Sequence, residues 1–295
     1  MPIRQIVVPI DFSDASKLAA RTGASLARAL GARIGFVHVV ELAAIQSTTV
    51  GADGHALIAD DTAAMHALAA ELDLKPEQYT CIVRRGDVGI ALLSECSEMA
   101  AQLVVIGSVG KHGATPPLLG SVAARVVRDA RCPVLVVRTE HRDVLPGDGV
   151  FHHPLVAIDH SRFSQASVEW AASISASNAT IELCHVMFHP AFEHEPAADR
   201  GKLEAIFDQA QKAEVSKLSE MAGNFSLTQT IETRVVIGRA ATAIAEQAQA
   251  CHADLVVTGA HGRKTATSLL LGSVADRLLR QSPVPVLLVP DAAVD

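Results

Sequence analysis

Aromatic side chains are scarce in this chain. They make up 3% of its 295 residues, with a single tryptophan (Trp170) and a single tyrosine (Tyr79). Proteins that read single-stranded nucleic acid stack bases on such rings, so that class is disfavoured at once. An excess of positive charge is also lacking: the formal net charge is −7, which argues against a non-specific polyanion binder. Cysteines are few. Cys81, Cys96, Cys132, Cys184 and Cys251 are odd in number and form no C-x-x-C pair. Scattered thiols suit a reducing compartment better than a disulfide framework, so a cytoplasmic location is expected. No apolar run approaches membrane-spanning length, and the opening Met1-Pro-Ile-Arg-Gln reads as a lead-in to a strand, not as a signal peptide. Enzyme signatures are missing too. There is no G-x-S-x-G, H-E-x-x-H or G-x-G-x-x-G, and Gly262-Arg-Lys-Thr lacks the glycine spacing and Gly-Lys pair of a P-loop.

What remains is 49% hydrophobic and 19% charged, a globular composition whose cores must be built from Ala, Val, Leu and Ile. The length suggests about two domains. Gln5–Ile10 is a short apolar run ending at Asp11, as a buried parallel strand would be. Ser13 and Asp14 offer caps to a helix reaching Leu30, with Gly31 as its stop. Ile34–Val40 is a second strand. Glu41–Asp61 reads as a polar loop, followed by a helix over Asp61–Leu72 and a strand over Tyr79–Val83. Asp87–Ala101 is a helix with Ile90, Leu93 and Met99 among its apolar positions; Leu103–Ile106 and Pro133–Val137 are strands flanking a helix over Ser121–Asp129. Thr139–His153 has Pro, Gly and charge without periodicity and reads as a linker. The series then restarts at Leu155–Ile158, which ends at Asp159, and runs through Ile181–Met187 and a long helix to Pro285–Val289. The expectation is an α/β fold of two tandem, doubly wound, five-stranded parallel-sheet domains, over residues 1–139 and 154–295, joined by 140–153.

One pattern organises both halves. Gly107 to Ser121 and Gly259 to Ser273 each read Gly, two residues, Gly, nine residues, Gly-Ser, and the copies lie 152 positions apart. Each follows an apolar strand and opens into a helix. Glycines there let backbone approach a ligand closely, and the helix N-terminus presents free N–H groups to an anion. Ligands in such folds sit outside the carboxyl ends of the strands, where Asp11, Asp159 and both loops fall.

These residues resemble the universal stress protein family, in a tandem form. The carriers are Val-Pro-Ile-Asp-Phe-Ser at residues 8–13, the His-Val pairs at 38–39 and 185–186, both glycine loops, and the closing strands beginning at Pro133 and Pro285. The resemblance covers almost the whole chain and implies the universal stress protein fold, akin to the adenine nucleotide alpha hydrolases. Members with this glycine pattern typically bind ATP, here expected with Mg2+ bridging the phosphates. It further implies that Asp11 and Asp159 meet the adenosine portion and that the backbones of Val39 and Val186 meet adenine. Gly107, Gly110, Gly120, Ser121 and Val122 would hold phosphates in the first half. Gly259, Gly262, Arg263, Gly272, Ser273 and Val274 would do so in the second. The loop interiors differ, with Lys111-His112 and Pro116-Pro117 against Arg263-Lys264 and Thr265–Thr267, so equal affinity is not expected.

For each feature a plainer reading stands beside this one. The glycines also serve simple turns, and Asp11 and Asp159 could cap the next helix, a role Ser13 and Ser161 could share. His38 and His185 read as packed strand-end residues. His141, His152, His153 and His160 gather near the linker, and His189 and His194 lie in a loop. Their spacings match no zinc signature, so they read as solvated, and no metal ligand or catalytic residue is assigned. The cysteines, mostly in apolar contexts, are expected to be inert, with Cys251 beside His252 the one candidate exception, although adjacency in sequence does not make a catalytic pair. The functional expectation is a nucleotide-dependent stress-response regulator with at most slow ATP hydrolysis. The alternatives are a nucleotide-cleaving or adenylyl-transferring enzyme, or a dimerisation scaffold with vestigial sites. Neither nucleic acid nor membrane is an expected partner; a regulatory protein is. The apolar edges Val134–Val137 and Val286–Val289 need cover, which suggests pairing of the two halves as a pseudo-dimer, with the family adding an expected homodimer.

Overall fold

The computed structural model describes residues 2–41, 54–110, 119–144, 147–188, 197–261 and 271–290. In the first half, β1 (Gln5–Pro9), α1 (Asp14–Leu30), β2 (Arg33–Val40), α2 (Gly54–Glu71), β3 (Tyr79–Arg85), α3 (Val88–Glu98), β4 (Leu103–Gly107), α4 (Ser121–Asp129) and β5 (Val134–Val137) follow in turn. The second half repeats this order as β6 (Pro154–Ile158), α5 (Arg162–Ser173), β7 (Thr180–Met187), α6 (Ala197–Gly223), β8 (Thr230–Ile237), α7 (Ala240–Ala250), β9 (Leu255–Gly259), α8 (Ser273–Gln281) and β10 (Val286–Val289).

All ten strands form one sheet in the order β3-β2-β1-β4-β5-β10-β9-β6-β7-β8. Each half is parallel throughout, and the seam is antiparallel: Val286 faces Val136, Leu287 faces Leu135 and Leu288 faces Val134. The apolar edge of β5 is therefore covered by β10, and four buried residues from each strand enter the core. The strands away from the centre show the contrast. β8 alternates Thr, Ile, Glu, Thr and Arg with a half-buried inner face, as an edge strand should.

Two apolar layers lie on the sheet, and each runs across the seam. One takes Leu26 of α1, Met65 of α2, Val168 of α5 and Leu218 of α6; the other takes Leu92 of α3, Val126 of α4, Ile244 of α7 and Leu278 of α8. Because the seam is antiparallel, the carboxyl ends of the strands in one half point opposite to those in the other. The two glycine patterns thus begin at opposite ends of the sheet, after β4 and β9.

Three local expectations need correction. The helix expected from Asp61 begins at Gly54, because Ala-rich sequence continues the turn back through the segment read as a loop; residues 42–53 lie outside the described ones. Ile90 is 59% exposed, and Leu92 takes the core position instead. The Asp87 carboxylate accepts the Ile90 N–H at 2.8 Å, which fixes the start and rotation of α3. The linker is also docked more closely than its composition suggests. Phe151 is fully buried, and His141 is only 2% exposed. The His141 ring accepts the Arg138 N–H at Nδ1 (3.2 Å), and its Nε2 meets the Ser282 carbonyl of the second half (3.2 Å). Arg138 also reaches the Arg280 carbonyl.

Each half closes its first strand in its own way. In the first, the Gln102 carboxamide oxygen accepts the Arg4 and Gln5 N–H groups at 2.6 and 3.3 Å. The Asp254 carboxylate, in the equivalent place before β9, accepts the His152 and His153 N–H groups at 2.6 and 3.0 Å. Burial holds the Asp254 carboxyl above the ordinary carboxylate range. The Gln-to-Asp exchange within the matching Ala-x-Leu-Val-Val stretches is thus a conserved task performed by two side chains.

Candidate functional site

The first site is built where β1 and β4 end side by side, the point at which strand order reverses. After β1 the chain turns at Phe12, which holds the left-handed φ of 62° that few non-glycine residues adopt. This turn brings the Asp11 carboxylate back over the chain, where Oδ1 accepts the Ser13 N–H (3.0 Å) and hydroxyl (2.6 Å). The helix cap itself is Ser13, whose hydroxyl accepts the Ser16 N–H at 3.2 Å. Asp11 is therefore not the cap of α1, and its second oxygen faces elsewhere. A Cβ added to Gly110 would lie 2.5 Å from Asp11 Oδ2. The carboxylate and the start of the glycine loop are in contact only because residue 110 has no side chain.

The rest of the loop is held from both ends. A Cβ on Gly107 would come within 2.7 Å of the Ala15 backbone, so the end of β4 packs directly on the first turn of α1. The Gly120 N–H donates to the Ser108 carbonyl at 2.7 Å and closes the loop at its base. Gly120 then acts as N-cap of α4 without a side-chain bond, with Ser121 exposed and Val122 half-buried behind it. Among the described residues no side chain caps the helix start, the condition under which an anion is favoured there. Val39 is buried and lies two residues past the last β1 pair, Pro9 with Val37. Its backbone stands at the rim of the same crevice. Residues 111–118, including Lys111, His112, Pro116 and Pro117, fall outside the described residues.

The second site repeats the frame with different fittings. The Asp159 Oδ1 accepts the Ser161 N–H at 2.9 Å and the Ser164 hydroxyl at 3.1 Å. Ser161 caps α5 by backbone position but makes no side-chain cap bond, and among the described residues its buried Oγ has no hydrogen-bond partner. Gly272 closes on the Ala260 carbonyl at 2.9 Å and caps α8 without a side-chain bond, ahead of Ser273 and the half-buried Val274. Gly259 ends β9, and a Cβ added there would lie 3.1 Å from Phe163 Cβ. Val186 is one residue past the last β6 pair, Ile158 with His185. Gly262, Arg263, Lys264 and Thr265–Thr267 lie outside the described residues.

His160 holds the left-handed place of Phe12, with φ 57°. It is not a solvated loop residue. Its Nε2 lies 2.7 Å from Glu214 Oε2 on α6, and its ring is 4.7 Å from that of His185. The Glu214 carboxyl is held below its ordinary range, chiefly by the Lys217 ammonium on Oε1 and next by His160. His38 and His185 do sit packed at strand ends, each with Nδ1 donating to the carbonyl that ends strand one of its half, Ile10 at 2.6 Å and Ile158 at 2.7 Å.

The five cysteines are all free thiols raised by burial: Cys81 and Cys132 to about 11, Cys96 and Cys184 to about 12, and Cys251 upward as well. A rise from 9.0 to about 11 lowers the thiolate population roughly 100-fold. At neutral pH Cys81, Cys96, Cys132 and Cys184 of the native chain should each react with a thiol reagent at least ~100-fold more slowly than in the unfolded chain, and Cys251 more slowly as well. A fast native phase at Cys251 would show that His252 activates it after all.

Comparison with known proteins matches this arrangement. The profile of the universal stress protein family fits residues 2–138 and again residues 151–290. The chain belongs to the universal stress protein family. A universal stress protein of Mycobacterium tuberculosis strain H37Rv is 33% identical over 191 residues, 63% of this chain and 61% of that protein; the chain spans about three fifths of the length of such relatives. One from Mycobacterium bovis is 30% identical over 232 residues, covering 75% of this chain and 68% of the relative. Among solved structures, a universal stress protein from Archaeoglobus fulgidus superposes with a TM-score of 0.67 at 20% identity, over 97% of this chain and 98% of that one. At that identity the likeness concerns the fold, and it supports the tandem α/β architecture. Among the described residues no helix is long and apolar enough to cross a membrane.

Proposed function

We propose that this universal stress protein binds ATP with Mg2+ at the strand ends of each half, and that the bound and free states offer different contacts to a partner in a stress response. The observation that carries the reading is the meeting of Asp11 with Gly110 at the switch in strand order, beside a helix start that no side chain caps among the described residues. A cradle that a single Cβ would fill suits a flat phosphate chain against backbone. Asp11 and Asp159 would receive ribose hydroxyls, and Val39 and Val186 the base edge. Gly107, Gly110, Gly120, Ser121 and Val122, with Gly259, Gly262, Arg263, Gly272, Ser273 and Val274, would hold the phosphates. The cation would neutralise phosphate charge with few protein ligands.

The unequal fittings favour unequal affinities, since among the described residues Ser161 leaves a buried hydroxyl without a partner where Ser13 is engaged by both Asp11 and Ser16. A switch needs only a difference in nucleotide affinity between two states. Isothermal titration with ATP, with and without Mg2+, tests the proposal; absence of binding in both conditions removes it. Chromatography of ATP incubated with the chain separates binder from enzyme. Slow or absent product is expected, because Asp11 Oδ1 is already engaged by Ser13 and no base is assigned. Many turnovers per minute would favour the enzyme.

A further inference from the structure

The two halves differ most beside Asp159. There, His160 Nε2, His185 Nε2 and a carboxylate oxygen of Glu214 converge so that every pair of these atoms lies within 4.8 Å. We propose that His160, His185 and Glu214 form a divalent-cation site of the zinc class, present in the second half alone. The site is additional to the nucleotide reading and does not depend on it.

Chemistry and geometry support this independently. A neutral His185 carries its proton on Nδ1, because that atom meets the Ile158 carbonyl at 2.7 Å and a carbonyl only accepts. Its Nε2 then presents a lone pair on the side of Glu214, whose Oε2 is 4.0 Å away. An outer carbonyl that fixes the tautomer of a ligand histidine is the usual companion of a metal-bound imidazole. Glu214 is similarly prepared: Lys217 occupies Oε1 at 2.7 Å, and Oε2 points at the two rings. In a tetrahedral zinc site with bonds near 2.0–2.1 Å, donor atoms stand roughly 3.3–3.5 Å apart. The 2.7 Å His160–Glu214 contact must open by somewhat more than half an ångström, and the wider pairs must close. Binding requires His160 Nε2 to give up the proton it turns toward Glu214, which passes to Nδ1 of a neutral ring, and the partial exposure of both side chains leaves room for a water as fourth ligand.

The first half provides the control. There Phe12 occupies the place of His160, its ring 5.2 Å from that of His38, and His38 Nε2 faces Asp61 at 3.5 Å. Two donors remain where the second half has three. A cation in the second half would tie α6 to the ends of β6 and β7, on the base side of the proposed nucleotide crevice. The first half has no equivalent clamp among its described residues.

The test uses the full chain, free of nucleotide, titrated with Zn2+ by calorimetry and with Co2+ followed by its visible spectrum. One equivalent is expected, with a tetrahedral Co2+ spectrum of nitrogen and oxygen donors and no thiolate charge-transfer band. His160→Phe, which restores the residue the first half already folds around, and Glu214→Gln should each weaken binding by at least ~100-fold. Circular dichroism and thermal melting verify that both variants fold. No binding by the native chain, a thiolate band, or binding unchanged in both variants would each overturn the site. Because nucleotide is absent, none of these results bears on ATP.

Discussion

Gly120→Val should remove one ATP equivalent per chain, weakening binding in the first half by at least ~100-fold while the fold persists. The structural cost of this change is small. A Cβ at residue 120 meets the Ser108 carbonyl at 3.3 Å, tight but tolerable, and the loss of a favourable N-cap conformation costs about 1 kcal/mol. The ligand cost is large, since a β-branched side chain would stand over the N-terminus of α4, where the phosphates are proposed to lie. Gly107→Val would be a poorer probe, because its Cβ would meet the backbone of Ala15 and its effect would mix folding with binding. Titration calorimetry of the folded variant checks the outcome: stoichiometry and affinity unchanged from the native chain would refute the assignment of this loop. Because the two glycine patterns begin at opposite ends of the sheet, the second site should be unaffected.

Acid should loosen the junction between the halves through His141. Burial lowers the pKa of this ring from 6.5 to about 4. The physical cause is visible in its contacts. The neutral ring accepts the Arg138 N–H at Nδ1 while its Nε2 proton serves the Ser282 carbonyl; a second proton would face the Arg138 N–H instead. The unfolded chain takes up that proton near pH 6.5, and the folded chain resists until about pH 4. Between these values the unfolded state holds more protons, so stability falls as pH falls, by on the order of 3 kcal/mol. Glu182 and Asp254 oppose this, because burial raises their carboxyl pKa values and their contribution is greater at low pH. The measurement is therefore a difference: urea unfolding at pH 7 and pH 4 for the native chain and for His141→Gln. The native chain should lose more stability, and equal losses would show that the buried ring is not the sensor.

Much of the frame was legible because it rests on short-range signals. Buried parallel strands betray themselves as unbroken apolar runs, and the restart at Leu155 with a second Asp-terminated strand gave the duplication away. The partner of an apolar edge is another matter. Val134–Val137 announced that it needed cover, but only three-dimensional pairing shows β10 arriving antiparallel, so that ten strands make one sheet. The exposure of Ile90 is not legible because helix rotation depends on where Asp87 caps it, and composition carries no such phase. At the site, Asp11 and Gly110 were found by pattern, yet their contact spans 99 residues and needed the fold. His160 and His185 stand out in the sequence singly, but their convergence with Glu214 does not, since donors 25 and 29 positions apart on three elements match no local spacing. His141 reads as solvated in the sequence because a polar linker gives no hint that one of its rings is buried between the halves.

Hydrogen exchange at the first turns of α4 and α8 tests the central claim most directly. Among the described residues no side chain caps these turns at Gly120 or Gly272. If the loops hold phosphates, the amides of Ser121 to Ala123 and of Ser273 to Ala275 should exchange more slowly when ATP and Mg2+ are added, and Gly120→Val should cancel the effect in the first set. Exchange unchanged by nucleotide at both helix starts would contradict the account.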